Sequence, residues 1–400
     1  MDMKKLVAAS LAALLLAAGG ARAQQGEIKV GEINSYSALP AFLDPYRKGM
    51  DLALKEVNDA GGIKGKKLVI ISKDDGGKPA DALTAANELV SRDGVVMIAG
   101  GFLSNVGLAL ADFAKQKQVM YLAAEPLTDA LVWSKGNDYT FRLRTSNYMQ
   151  AAMLAEEAAK LPAKRWATIA PNYEFGQSFV AVFKELLKKR KPDVEFVAEQ
   201  WPPLNKIDAG PVLQAIDAAN PEAILNATFA GDLVKLVREG NTRGIFKNRV
   251  VVSYLTGEPE YLDPLKTETP EGWIVTGYPW YGIKTAEHQA FLDAYQQLHK
   301  DYPRLGSIVG YSTVKSIAAA LKATDDYSTA GLLKAMKNLK VSTPFGDVVY
   351  RAADHQSTMG AYIGTTSQKD GQGIMVNFQF RPGADYLPPE AEAAKLRPAN

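Results

Sequence analysis

Cysteine is absent from the 400-residue chain, and histidine occurs only three times. The first absence excludes disulfides, Cys-ligated zinc, iron–sulfur clusters and thiol catalysis together. The second leaves little for an imidazole metal site, because His288, His299 and His355 lack the close spacing that zinc motifs use. Solvated or capping roles are expected for all three. A surplus of one charge is missing as well: 46 Lys+Arg stand against 44 Asp+Glu, with no basic stripe and no acidic run. Nucleic-acid binding therefore has no electrostatic footprint. Long apolar runs are confined to the first residues, and no later window is expected to span a bilayer.

What is present begins with a leader. In residues 1–23, Lys4 and Lys5 precede an apolar stretch that stops at Gly19-Gly20, and Ala21-Arg22-Ala23 completes a small-residue cleavage pattern. This predicts a signal peptide cut before Gln24 and an exported chain. Lys4, Lys5 and Arg22 against Asp2 account for the whole formal charge of +2, so the mature chain is formally neutral. At 47% hydrophobic it can bury a large core. Its length exceeds what one core supports, about 250–300 residues, so two domains are expected.

Short apolar runs then alternate with helical periodicity, the pattern of βα units around a parallel sheet. Strands are expected at 28–33, 67–72, 95–99 and 119–122, and a second set at 166–170, 194–199, 223–227, 250–254 and 272–277. The two sets read as successive α/β halves of similar design. Asp44 before Pro45 predicts a helix start, with Tyr46, Met50, Ala53, Leu54 and Val57 on one face and Gly61-Gly62 as the stop. Further helices are expected over 79–90, 148–161, 285–301, 307–323 and 329–339, ahead of a glycine-dotted, β-rich end.

Motifs for chemistry fail in context. The glycines at 61, 62 and 65 follow a helix, and Lys67 stands where a phosphate loop needs a hydroxyl. No G-x-G-x-x-G follows a strand, and no G-x-S-x-G elbow occurs. Ser312 and Lys315 match S-x-x-K without a K-T-G partner. Adjacent carboxylates, Asp74-Asp75 and Asp325-Asp326, point different ways and do not converge on one bond. An exported α/β hydrolase with an unrecognised site is the alternative of a different class.

In open parallel sheets, ligands sit beyond the carboxyl ends of the strands. The candidate site is therefore Phe42 after the first strand, Phe102, Leu103, Ser104 and Asn105 after the third, and Glu125 and Leu127 after the fourth. From the second half come Tyr173, Phe175, Phe229, Asp232 and the segment Thr256-Gly257-Glu258, with Tyr281 where the chain returns toward the first half. Ser104, beside glycines at a helix start, suits a carboxylate. Aromatics recurring after several strands favour a shared apolar cleft.

The string Glu56-Val57-Asn58-Asp59-Ala60-Gly61-Gly62-Ile63-Lys64-Gly65, with Asp74-Asp75, residues 100–104, Phe141-Arg142-Leu143-Arg144 and Thr343-Pro344-Phe345-Gly346, resembles the leucine/isoleucine/valine-type periplasmic binding proteins. These are the type I substrate-binding components of ABC transporters, and the resemblance covers essentially the whole mature chain. It implies an α/β fold of two doubly wound parallel-sheet lobes joined by three crossover strands, with the ligand in the interlobe cleft. Residues 27–146 and 279–357 would form the N-terminal lobe, and 147–278 and 358–396 the C-terminal lobe. It further implies a periplasmic monomer without cofactor or metal, whose partners are a small-molecule carboxylate and a cognate membrane permease. Carried over, Ser104 meets the carboxylate, Asp232 an ammonium, and Phe42, Phe175 and Phe229 are walls. The chain departs from the pattern in lacking the usual cysteine pair and in placing Leu127 where a threonine is usual. The lost hydroxyl and the aromatic walls favour an aromatic acid of hydroxycinnamate or benzoate type; a branched-chain or other aliphatic amino acid is the alternative. Glu125, buried near a carboxylate, would need a ligand hydroxyl or an arginine.

Overall fold

The structure is a computed structural model and describes residues 26–398, so the leader predicted at 1–23 lies outside the described residues. Buried strands and amphipathic helices alternate through two sheets. Strands β1 (Glu27–Asn34), β2 (Lys67–Asp74), β3 (Ile98–Gly100), β4 (Tyr121–Ala123) and β5 (Thr140–Arg142) form the first, in the order β2-β1-β3-β4-β5, every pair parallel. In the second, β6 (Arg165–Ile169), β7 (Glu195–Gln200), β8 (Ala223–Asn226), β9 (Val250–Gly257) and β10 (Ile274–Gly277) repeat that order as β7-β6-β8-β9-β10. A separate antiparallel pair, β11 (Lys340–Thr343) and β12 (Gly346–Val349), precedes the antiparallel hairpin of β13 (Ala361–Lys369) and β14 (Gln372–Arg381), which extends the second sheet's edge beside β10. The expected α/β class with doubly wound parallel sheets is the observed one.

The chain leaves the first sheet after β5, returns after β10, and leaves again to reach β13. On the return, helix Leu305–Lys322 packs on helix Pro40–Asp59, the most extensive helix pairing in the molecule. Three glycines permit it. A Cβ on Gly49 would lie 2.0 Å from the Ser307 carbonyl oxygen, one on Gly306 2.3 Å from that of Phe42, and one on Gly310 2.0 Å from that of Tyr46. No helix of the described residues is long and apolar enough to cross a membrane.

Several expectations are corrected. The first helix starts at Pro40, not Pro45, with Leu39 as its cap; Pro45 lies buried inside it. Pro40 supplies the same preset φ one turn earlier, so the Asp44-Pro45 signal names the wrong proline. The apolar run at 95–99 contributes only Ile98–Gly100 to a ladder, and β5 gave no periodicity because it has three residues. His288 and His355 are not solvated, whereas His299 is half-buried at the end of its helix. His288 is fully buried and shares a 2.7 Å hydrogen bond with Tyr278 Oη, while His355 stacks on Phe141 at 3.9 Å. Burial pushes both imidazoles down to about 4. His299 Nε2 lies 3.0 Å from the Lys48 carbonyl oxygen. Near the end of the described residues, Arg397 Nη1 donates to the Val132 carbonyl at 3.0 Å and Nη2 to that of Asn137 at 2.9 Å.

Candidate functional site

Residues that follow strands of both sheets line one small cavity: Phe102, Ser104, Glu125, Leu127, Arg144, Tyr173, Phe175, Phe229, Leu255 and Tyr261. Three helices begin at its wall, Ser104–Lys117, Glu174–Arg190 and Ala230–Arg243. None of the three has a side-chain cap, so their first-turn N–H groups remain available, and the positive ends of their dipoles lie at the cavity. That arrangement favours an anion. Ser104 Oγ accepts from the Thr128 N–H at 3.3 Å, which leaves its own hydrogen free to donate.

The apolar walls are rings. Phe175 stacks against Tyr254 at 5.4 Å and 13°, meets Phe229 edge-on at 5.5 Å, and lies 5.8 Å from Tyr173. Across the cavity, Phe102 packs edge-on against Phe42 at 5.1 Å. Leu255 enters the wall from a backbone with φ 65°, and Ala230, beside Phe229, has φ 51°. Such left-handed conformations cost roughly 1–2 kcal/mol in non-glycine residues and persist where the surroundings impose them, often at ligand sites.

The polar end is ionic. Arg144 Nη1 donates to Glu125 at 2.9 Å and Nη2 to Glu258 at 2.5 Å. Burial lifts the Glu125 carboxyl to about 7 despite the opposing pull of Arg144, and burial likewise raises Glu258 well above its ordinary value. Burial also works against the Arg144 charge, but Glu258 and Glu125 outweigh it and hold the guanidinium's pKa above the usual value. A second small cavity lies across Arg144, lined in part by Gln150, Glu258, Phe345 and Met359.

Of the residues expected from sequence, the structure brings together Phe102, Ser104, Glu125, Leu127, Tyr173, Phe175 and Phe229. Phe42 backs the wall, its ring 5.1 Å from the Arg144 guanidinium. Four others lie outside. Leu103 is the buried cap of its helix, and Asn105 points to solvent. The Asp232 carboxylate, expected to meet an ammonium, accepts from the Ile207 N–H at 3.2 Å and does not line the cavity. Tyr281 Oη bonds the Met375 backbone and lines a separate groove with Trp280 and Tyr302. Sequence reasoning missed Arg144, Leu255 and Tyr261 as lining residues; Arg144 was quoted only as part of the Phe141-Arg142-Leu143-Arg144 string.

The cavity holds no histidine, and the described residues include no cluster of three metal-ligating side chains. Ser104 has no base beside it. The arrangement can hold an anion and enclose an apolar body, and it offers a nucleophile no activation.

The fold and cavity define a two-sheet solute-binding architecture. A family model described as periplasmic binding protein matches residues 27–372, and the chain belongs to that family. It is 25% identical over 423 residues to Leu/Ile/Val-binding protein homolog 4 of Brucella melitensis, an alignment covering 99% of both chains. Among solved structures, it is similar to a solute-binding protein of an ABC transporter from Rhodopseudomonas palustris BisB5 in complex with 3,4-dihydroxybenzoic acid. There the TM-score is 0.80 and the identity 24%, with 89% of this chain and 98% of that one covered. A leucine-, isoleucine-, valine-, threonine- and alanine-binding protein of Brucella ovis in its closed conformation matches at TM-score 0.80 and 22% identity, covering 91% and 97%. These two likenesses establish the fold.

Proposed function

We propose that the chain captures an aromatic carboxylic acid of benzoate or hydroxycinnamate type in the periplasm by closing two lobes on it, and delivers it unchanged to the membrane permease of an ABC importer. The observation that carries this reading is the cavity itself: Phe102, Tyr173, Phe175 and Phe229 surround a space whose anion-favouring groups are Ser104 and three uncapped helix starts. A flat ring with one carboxylate matches both features. Structural relatives bound to 3,4-dihydroxybenzoic acid and to 4-hydroxybenzoate support it. In this reading residues 27–146 with 279–357, and 147–278 with 358–396, are the lobes, the chain acts as a monomer without cofactor or metal, and residues 1–23 direct export.

A second reading, an aliphatic amino acid, is favoured by the Leu/Ile/Val-binding relatives. Against it stands Asp232, whose carboxylate is engaged by the Ile207 N–H and does not line the cavity. Mass analysis of small molecules released on denaturing the purified protein separates the two. An aromatic acid recovered intact supports the proposal, whereas leucine, isoleucine or valine would replace it with the second reading. A hydrolysed product would indicate an enzyme.

A further inference from the structure

Arg144 is one guanidinium facing more carboxylate than it can neutralise. Its two donors each hold one oxygen of Glu125 and Glu258, and the remaining oxygens, Glu125 Oε1 and Glu258 Oε2, are buried without a partner. Glu260 adds a third buried carboxyl, one oxygen of which accepts from the Gly306 N–H at 2.7 Å while Arg304 attracts it from a distance. The other ionisable neighbours, Tyr254 and Tyr261, are buried and neutral, and the ring of Phe42 covers the guanidinium. Two ionised carboxylates on one cation would seal a net negative charge away from water, which is costly. The stable arrangement carries one proton on either Glu125 or Glu258, the two titrating as a pair through their common arginine.

Glu125, and with it Arg144, lines the ligand cavity, while Glu258 reaches the same guanidinium from the other side. Competition from Glu258 therefore leaves Glu125 with an oxygen that the guanidinium does not engage. We propose that this cluster determines specificity: Glu125 takes a ring hydroxyl of the ligand, and Glu258 acts through Arg144 as a positioning residue that keeps one proton on the pair. The inference rests on the aromatic-acid reading. A hydroxyl is uncharged and is received without changing the proton count of the cluster. An ammonium would require both carboxylates ionised and would expel the proton to solvent.

Calorimetric titration of the wild type, Glu125→Gln and Glu258→Gln with 4-hydroxybenzoate, benzoate and leucine tests this, using two buffers of different ionisation enthalpy between pH 6 and 8. The wild type should favour 4-hydroxybenzoate over benzoate by about tenfold or more, the size of one well-made buried hydrogen bond. The heat of that binding should be the same in both buffers at pH 6. Its affinity should fall as the pair's proton is lost with rising pH, because the cluster then repels an anionic ligand. Glu125→Gln should bring the two acids toward parity. Glu258→Gln should keep the hydroxyl preference and flatten the pH profile, since Arg144 then balances Glu125 alone; this variant also decides the matter if Glu125→Gln does not fold. A hydroxyl preference that survives Glu125→Gln, or a pH profile that survives Glu258→Gln, overturns the inference alone. Failure of the wild type to bind either aromatic acid overturns it together with the proposed function.

Discussion

Glu32 shows how much of this molecule is settled by single buried groups. It is 1% exposed, accepts from Tyr36 Oη at 3.0 Å, and burial lifts it to about 7, with Ser72, Tyr36, Asn34 and Arg47 pulling the other way. A carboxyl whose folded pKa is raised stabilises the fold fully below its ordinary range, and that contribution is lost as pH climbs through about 7. His288 and His355, held down at about 4, act in the opposite sense: their contribution is lost as pH falls below the usual imidazole range. The wild-type profile therefore mixes the two, and the comparison with Glu32→Gln isolates the glutamate. Relative to wild type, Glu32→Gln should gain about 2–3 kcal/mol between pH 5 and pH 8 in urea unfolding, from the size of the shift. A difference independent of pH would contradict the assignment. At this scale the sequence was informative where a residue simply follows a strand, as Ser104, Phe175 and Phe229 do. It was silent on partners. Asp232 and Glu125 look alike in sequence, yet one accepts from a backbone N–H and the other meets an arginine that three-residue β5 delivers.

The element that gathers the chain is the pairing of helices Pro40–Asp59 and Leu305–Lys322, which binds a late segment to the first sheet's helices. Its close approach depends on positions with no side chain. Gly310→Ala would drive a methyl onto the Tyr46 carbonyl oxygen, 2.0 Å from the new carbon, where backbone cannot yield cheaply. Destabilisation of about 2–4 kcal/mol is expected, the range of severe overpacking. Denaturant midpoints for wild type and variant check it, and a loss below about 0.5 kcal/mol, ordinary for surface changes, would show that the helices separate freely. Both helices were legible from periodicity, but their contact was not. Small residues such as Gly49, Gly306 and Gly310 mark it only once the two faces are known to meet. The misplaced helix start at Pro45 has a similar cause, since two prolines one turn apart both satisfy a local rule and tertiary packing chooses between them.

For the whole molecule, the sequence pattern of two successive βα sets translated into two sheets whose five parallel strands follow the same order, and the carboxyl ends of both supply one cavity. That rule-based placement succeeded because unsatisfied helix starts and strand ends are consequences of topology, independent of side-chain detail. The ligand class depends on side-chain detail, which is why it rests on the rings and the ionic end of the cavity. Calorimetric titration of 4-hydroxybenzoate into the wild type and Phe175→Ala tests ligand and site together. The account predicts saturable one-to-one binding by the wild type, weakened about 10- to 100-fold when a stacked wall ring is removed, in line with the loss of a buried aromatic contact. Tight leucine binding with no response to 4-hydroxybenzoate, or aromatic-acid binding indifferent to Phe175→Ala, would contradict it.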